Sequence, residues 1–459
     1  MNTQQIVTRS ILCMLAWFSL AAATACAQVI THVPLIIVEG DAEGDQFGRS
    51  VSGTGDINGD GVPDLIVGAR FDDDNGENSG SATVLSGADG SVIYSFHGDS
   101  PNDRFGVSVD GAGDINGDGV NDLIVGASFG YVRVLSGADG SQLYNFDFAF
   151  SASGAGDING DGFDDLIVGF DFFTLVLSGA DGSSVLHPLP ELDRIEPGTV
   201  SSVSEAGDVN GDGFDDLITL TRRGTQVFSG LDGNLLHDLS PSSFLSIWRR
   251  SVRGAGDVNG DGFDDFIVGE NRDKFSFPTS SVHVFSGIDG NLLYTIDSDS
   301  DTDFLGFAVS GTGDVNGDGF SDFIAGDVFD DTNAFNSGSA RVFSGVDGSV
   351  LYTFHGDTQM EFLGHSVSDI GDVNGDGLAD FIIGANGGGT NNGGYVQIYV
   401  SQTILLGDCN LDGVVNFSDI PAFIAILQSG EFLAEADTNE DGVVNFADIP
   451  AFIEILTNQ

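Results

Sequence analysis

The residues best placed to do chemistry are acidic and periodic. In the stretch Asp-Ile-Asn-Gly-Asp-Gly-Val-Pro-Asp, Asp56, Asn58, Asp60 and Asp64 offer side-chain oxygens at alternate places, and the Val62 carbonyl fills the place between the last two. A hard cation such as Ca²⁺ takes six to eight oxygens at about 2.3–2.6 Å, so a short loop must wrap several acceptors around one point. Gly59 and Gly61 supply the tight, partly left-handed backbone for that wrapping. The same places are held by Asp114, Asn116, Asp118, Val120 and Asp122, by Asp157, Asn159, Asp161, Phe163 and Asp165, and by Asp208, Asn210, Asp212, Phe214 and Asp216. They return as Asp257, Asn259, Asp261, Phe263 and Asp265, as Asp314, Asn316, Asp318, Phe320 and Asp322, and as Asp372, Asn374, Asp376, Leu378 and Asp380. Without a cation, two carboxylates about 4 Å apart repel by roughly 4 kcal/mol at an effective dielectric near 20.

Asn-Gly followed by Asp-Gly also suits an ordinary polar hairpin turn. A turn gives no reason to keep an Asp at the ninth place of all seven copies, whereas a calcium loop does. These loops differ from an EF-hand, which continues into an amphipathic helix and carries Glu at its twelfth position. Here the ninth residue runs into Leu65-Ile66-Val67-Gly68 or Phe266-Ile267-Val268-Gly269, short β-branched runs stopped by Gly that read as buried strands.

The elements that must position these loops repeat with them. The first Asp recurs at intervals of 58, 43, 51, 49, 57 and 58 residues, a period proper to a propeller or solenoid. Each unit holds four strand-like pieces, and a Ser-Gly-x-Asp-Gly turn joins the last two at Ser86, Ser136, Ser178, Ser229, Ser286 and Ser344. Seven four-stranded units imply an all-β, seven-bladed β-propeller over residues 28–401. The seventh unit lacks a fourth strand, and the segment from Pro34 to Asp41 parallels the fourth strand of unit one. The N-terminal strand is therefore expected to complete the last blade and remove an open sheet edge.

Composition narrows the function. The chain of 459 residues has a formal charge of −56, with only 14 Lys and Arg. Nucleic acid and anionic membranes are excluded as partners, because phosphate binding needs cations. Residues 1–27 read as an export signal: Arg9, an apolar run from Ile11 to Ala23, and Ala25-Cys26-Ala27 as a small-x-small cleavage site. Acylation at Cys26 is an alternative fate. After cleavage Cys409 is the one cysteine left, so no internal disulfide forms and metal must do the stapling. The expected location is outside the cell or at its surface, with no transmembrane segment in the mature chain.

Phe47-Gly48 and Phe105-Gly106, the seven acidic loops, and Val67-Gly68-Ala69 and Val125-Gly126-Ala127 together resemble FG-GAP repeats. Those repeats build the propeller of integrin α chains and of many secreted bacterial proteins, which implies the same fold here. Leu305-Gly306 and Leu363-Gly364 replace the Phe-Gly pair in two units, and units three to five lack it.

After residue 401 the pattern changes. Asp408, Asn410, Asp412, the Val414 carbonyl, Asn416 and Asp419 form an EF-hand-like loop, followed by Ile420, Phe423, Ile424 and Leu427 at helical spacing. Asp437, Asn439, Asp441, Val443, Asn445 and Asp448 repeat it. The duplicated pair, residues 402–459, is similar to a type I dockerin, an α-helical calcium-binding module. The resemblance implies two further Ca²⁺ ions beyond about seven in the propeller, and a cohesin-like partner. Phe417-Ser418 and Phe446-Ala447 depart from the polar pairs that many cohesin-binding dockerins carry there.

No His-Glu-x-x-His, Gly-x-Ser-x-Gly or Cys–His arrangement occurs, and no carboxylate pair stands out from the repeat, so the sequence points away from catalysis. Seven of the 14 cations fall between residues 222 and 274. Of these, Arg222, Arg223, Arg249, Arg250, Arg272 and Lys274, with Trp248, are placed by unit counting on the face shared by the second-to-third and fourth-to-first connections. There they form a candidate ligand patch for an anionic glycan or acidic protein loop; neutralising neighbouring Asp is the other reading. The function expected is extracellular recognition or adhesion through the propeller, with the tail as attachment. The alternative is a component of a polysaccharide-degrading system.

Overall fold

The computed structural model describes residues 28–405 apart from 129, 171–173, 187–199, 222–223, 240–246, 273–279 and 301, and beyond them 409, 419–429, 436, 438, 444 and 448–457. Residues 1–27, to which the export signal was assigned, lie outside the described residues.

The run after each ninth-position Asp becomes the second strand of a blade. In Asp64–Ala69 every residue is buried, because each face of the sheet packs on a neighbouring blade and a continuous apolar run has no side to show water. The first blade pairs Phe47–Gly55, Asp64–Ala69, Ser81–Leu85 and Val92–His97 in that order, all antiparallel. Six further four-stranded sheets repeat the scheme, giving a seven-bladed β-propeller. Burial falls outward: the fourth strand, Val92–His97, is exposed or half-buried throughout.

The cores lie between blades. Ile66, Val84 and Ala82 of blade one pack with Phe105, Val109, Leu123 and Val125 of blade two. Phe105, Phe266, Phe323, Phe343 and Phe381 are among the largest side chains fully shut from solvent. Each such burial contributes about 1.5–3 kcal/mol.

The Phe-Gly pair has a geometric role. Phe47 pairs with Ala69 and Ser50 with Gly68, so two residues, Gly48 and Arg49, bulge from the first strand. Gly48 takes φ +78°, and a Cβ there would lie 2.4 Å from the Tyr395 carbonyl of blade seven. Leu363 pairs with Ala385 through the same bulge, with Gly364 at φ +80°. Leu thus substitutes for Phe without altering the backbone.

Blade five differs, and corrects one alignment. Counting residues places Trp248 where Phe47 stands, but Ser251 pairs with Gly269, Arg250 with Glu270 and Arg249 with Asn271. No two-residue bulge intervenes, so Arg250 holds the register position of Phe47 and Trp248 lies two residues earlier in the chain.

The last blade runs Leu363–Gly371, Asp380–Ala385, Tyr395–Leu405 and then the N-terminal strand Gln28–Glu39. The Gly40 amide donates to the Gly394 carbonyl (2.9 Å) and Asn391 Nδ2 to the Gly40 carbonyl (2.8 Å). The ring closes with strands from both ends of the propeller segment.

The chain divides into two compact units, one spanning Val33–Val400 and the other containing Ser401–Gln459. In the C-terminal unit, helices α1 (Ile420–Ser429) and α2 (Ile449–Thr457) pack through Phe423 and Phe452, whose rings stack with centroids 3.8 Å apart. Cys409 and Ala436 complete that core. Asp419 and Asp448 precede the helices and are fully buried, and Pro421 and Pro450 occupy the first turns, where a missing N–H costs nothing. Among the described residues, no helix is long and apolar enough to cross a membrane.

Candidate metal centre

Each acidic loop connects the first and second strands of its blade and is held by its own oxygens. In blade one, Asp56 Oδ1 accepts the Gly59 amide (2.7 Å) and the Asp60 amide (3.1 Å), while Oδ2 accepts the Gly61 amide (2.8 Å). Asn58 Oδ1 accepts the Asp60 amide, and Asp60 Oδ1 accepts the Val62 amide. Gly59 and Gly61 carry φ of +77° and +90°, the left-handed conformation the wrap requires. Blade two repeats the set with Asp114 and Asp118, and blade seven with Asp372, Asn374 and Asp376.

The ninth-position Asp has a second task that its sequence position does not reveal. Asp64, Asp122, Asp165, Asp216, Asp265, Asp322 and Asp380 are all fully buried. Asp122 Oδ2 accepts the Ile115 and Asn116 amides, and Oδ1 accepts the Gly137 amide of the Ser-Gly-x-Asp-Gly turn (3.0 Å). The glycine of that turn performs the same service for the ninth Asp in five other blades, from Gly87 to Gly345. A Cβ on Gly137 would lie 1.9 Å from the Asn121 carbonyl, so only glycine lets the turn approach.

These carboxylates are held at an energetic cost. Burial pushes Asp122 up to about 6, with the Gly137 amide opposing and Asp118 adding. Burial likewise pushes Asp265 and Asp322 to about 7, with the amides of Gly287 and Gly345 opposing. A buried carboxylate near two others is relieved by a bound cation. The donors are oxygens alone, without His or Cys, and that set fits Ca²⁺ in all seven propeller loops.

The loops are also joined to each other. The Asp164 amide, at the eighth place of blade three, donates to the Asp114 carbonyl of blade two (3.1 Å), and Asp164 Oδ2 accepts the Asp114 amide (2.6 Å). Asp264 bonds Asp208 in the same way, and Ser321 and Ala379 donate amides to the carbonyls of Asp257 and Asp314. The seventh-place side chain lies on the preceding loop: Phe163 against Gly117, Phe263 against Gly211 and Phe320 against Gly260.

First strands line a central channel of about 700 Å³. Three residues before the glycine that opens each loop stand Ser52, Ser153, Ser204, Ser310 and Ser368, with Asp110 in blade two and Arg253 in blade five. Arg253 Nη1 reaches Asp110 Oδ2 (3.1 Å) and Ser204 Oγ (3.0 Å) across the channel. Arg253, counted in sequence with the basic cluster, therefore belongs to the axis. Glu205 and Asp369 also line the channel, at places where the other five blades have Gly.

Of the candidate ligand patch, Arg222, Arg223 and Lys274 lie outside the described residues. Trp248, Arg249, Arg250 and Arg272 are described in backbone only, on the first and second strands of blade five. In the C-terminal unit, Asp419 and Asp448 are described; Asp408, Asn410, Asp412, Val414, Asn416, Asp437, Asn439, Asp441, Val443 and Asn445 lie outside the described residues.

Comparison with known families agrees with this architecture. The FG-GAP repeat matches residues 47–85, 105–146, 149–186, 251–285 and 366–399, and the dockerin type I domain matches residues 406–456. Blades four and six, outside the FG-GAP matches, have the same four-strand order. Human integrin alpha-7 is 37% identical over 101 residues, covering 21% of this chain and 8% of that protein. Integrin alpha-2 of Bos taurus is 35% identical over 94 residues, and integrin alpha-V of Gallus gallus 35% over 85, each match covering 18% of this chain and 8% of the integrin. FG-GAP and dockerin domains generally bind calcium. The chain is a seven-bladed β-propeller that carries FG-GAP repeats in five of its blades, followed by a dockerin type I domain.

Proposed function

We propose that this is a secreted, calcium-loaded recognition or adhesion protein, its propeller binding an extracellular protein or anionic glycan and its dockerin domain attaching it to a larger assembly. The observation that carries the reading is the pairing, in one chain, of seven oxygen-only loops with a dockerin type I match at residues 406–456. Each propeller loop takes one Ca²⁺ through the first, third, fifth and ninth side chains and the seventh carbonyl, and the C-terminal loops take two more. Dockerin domains bind cohesins, which makes a cohesin-like module the partner for the tail.

The recognition face is the one where second-to-third and fourth-to-first connections meet. Gly80 bridges Phe105 there, Gly338 bridges Leu363, and Gly394 bridges Phe47, so neighbouring blades present paired loops. On blades four and five the same face would carry Arg222, Arg223, Arg272, Lys274, Trp248, Arg249 and Arg250, suited to carboxylate or sulfate.

A screen of acidic polysaccharides and extracellular proteins, run with Ca²⁺ and with chelator, tests this reading. Calcium-dependent capture that weakens in the Trp248→Ala, Arg249→Ala, Arg250→Ala triple variant supports it. Release of reducing ends or unsaturated products from pectin- or alginate-like polymers would instead make the protein a polysaccharide-degrading component, a reading favoured by its dockerin domain alone. No capture of any ligand by the calcium-loaded protein would overturn the recognition reading.

A further inference from the structure

The loop between the second and third strands is built alike in blades one and six, but it carries different chemistry. Blade one reads Phe71-Asp72-Asp73-Asp74-Asn75 and blade six Phe329-Asp330-Asp331-Thr332-Asn333. Asp72 Oδ1 accepts the Asp74 amide (2.7 Å), as Asp330 Oδ1 accepts the Thr332 amide (2.7 Å). The Gly80 amide donates to the Asp72 carbonyl and the Gly338 amide to the Asp330 carbonyl. Asn75 Nδ2 ties its loop to the Gly98 carbonyl, and Asn333 Nδ2 to the Gly356 carbonyl.

A histidine ends the fourth strand beside each loop, because His97 pairs with Ser81 and His355 with Ser339. In blade six the result is an ordinary pair, His355 Nδ1 lying 3.3 Å from Asp330 Oδ2. In blade one a third group joins. A carboxylate oxygen of Asp72, one of Asp74 and a ring nitrogen of His97 all lie within 4.8 Å of one another. Asp72 is buried, and His97 Nδ1 is shut from solvent without a hydrogen-bond partner.

We propose that Asp72, Asp74 and His97 form a metal site separate from the acidic loops and specific for a borderline divalent ion of the Zn²⁺ type. One imidazole and two carboxylates, with a coordination place left for water, suit Zn²⁺ and its neighbours, whereas Ca²⁺ prefers oxygen alone. Asp74 decides the matter: with Thr at its place, blade six keeps only two ligands. The site lies where the connections of blades one and two meet, since Gly80, which closes the loop, bridges Phe105.

Calorimetric titration of the full, Ca²⁺-saturated chain with ZnCl₂ tests the proposal. One Zn²⁺ per chain is expected, still bound in excess Ca²⁺, lost in His97→Ala and in Asp74→Thr, and retained in His355→Ala. Thr332→Asp should add a second equivalent by completing the blade-six set, a gain that a misfolded variant cannot mimic. Absence of Zn²⁺ uptake by the wild-type chain overturns the proposal. So does uptake that survives both blade-one substitutions, uptake that excess Ca²⁺ abolishes, or an unchanged stoichiometry in a folded Thr332→Asp chain.

Discussion

Glu205 lines the channel at a place where five blades have glycine, with Asp110 and Asp369 near it and Arg253 as the compensating cation. Water reaches its carboxylate, yet the surrounding blades desolvate it. That enclosure first, and Asp110 second, push it from the ordinary 4.5 up to about 7, with Arg253 opposing. A carboxyl raised on folding favours the native state fully below its unfolded value, and that contribution fades as pH climbs through the folded one. Glu205→Gln should therefore raise the melting temperature at pH 8 and leave it close to wild type at pH 4. Calorimetry at the two pH values checks this, and an equal shift at both would contradict the assignment. Gly137 shows a different residue-scale constraint. Its absent side chain admits the Asn121 carbonyl, so Gly137→Ala should cost at least about 1–3 kcal/mol in chemical denaturation.

Within a loop, the ninth and fifth carboxylates do separable work. Asp122 is buried and accepts three backbone amides, while Asp118 is exposed and accepts one. Asp122→Ala leaves buried amides without an acceptor, at about 1–3 kcal/mol for each group. It should lower the melting temperature in EDTA as well as in Ca²⁺. Asp118→Asn removes a charge from the donor set without unpairing the core, so it should leave the EDTA melt near wild type and shrink only the Ca²⁺-dependent increment. Melting curves of both variants in each buffer decide between one role and two. The loop itself was legible because an ion demands fixed residue types at fixed spacing, and the blade because its buried second strand reads as an apolar run. What counting could not deliver was register. The bulge at Gly48 and Arg49 is absent from blade five, so Arg250 takes the place expected of Trp248, Trp248 falls two residues earlier, and Arg253 belongs to the axis. Nor does spacing reveal that the Gly137 amide caps Asp122, because a contact across 15 residues is made by the fold. Spacing does not reveal the Asp72, Asp74 and His97 group for the same reason: the fold brings His97, at the end of the fourth strand, beside a loop more than 20 residues earlier.

A ring made of repeats is only as strong as its weakest seam, and in this one the seams differ in kind. Hydrogen bonds between the first place of one loop and the eighth place of the next join blades two to three, four to five, five to six and six to seven. At these four seams, a cation that stiffens one loop therefore stiffens its neighbour's attachment. The seam within the last blade depends instead on the N-terminal strand, through the Gly40–Gly394 pair and Asn391. Removing that strand bares the edge of Tyr395–Leu405, and an unpaired edge recruits other chains. A chain beginning at Gly40 should melt several degrees lower than one beginning at Gln28 and should form oligomers on size-exclusion chromatography. A chain ending at Leu405, which lacks the dockerin match, should keep the Ca²⁺-dependent melt of the propeller, since that domain belongs to the other compact unit. If the Gly40 chain stayed monomeric at an unchanged melting temperature, closure of the ring would rest on the calcium loops and not on the strand supplied by its N-terminal end.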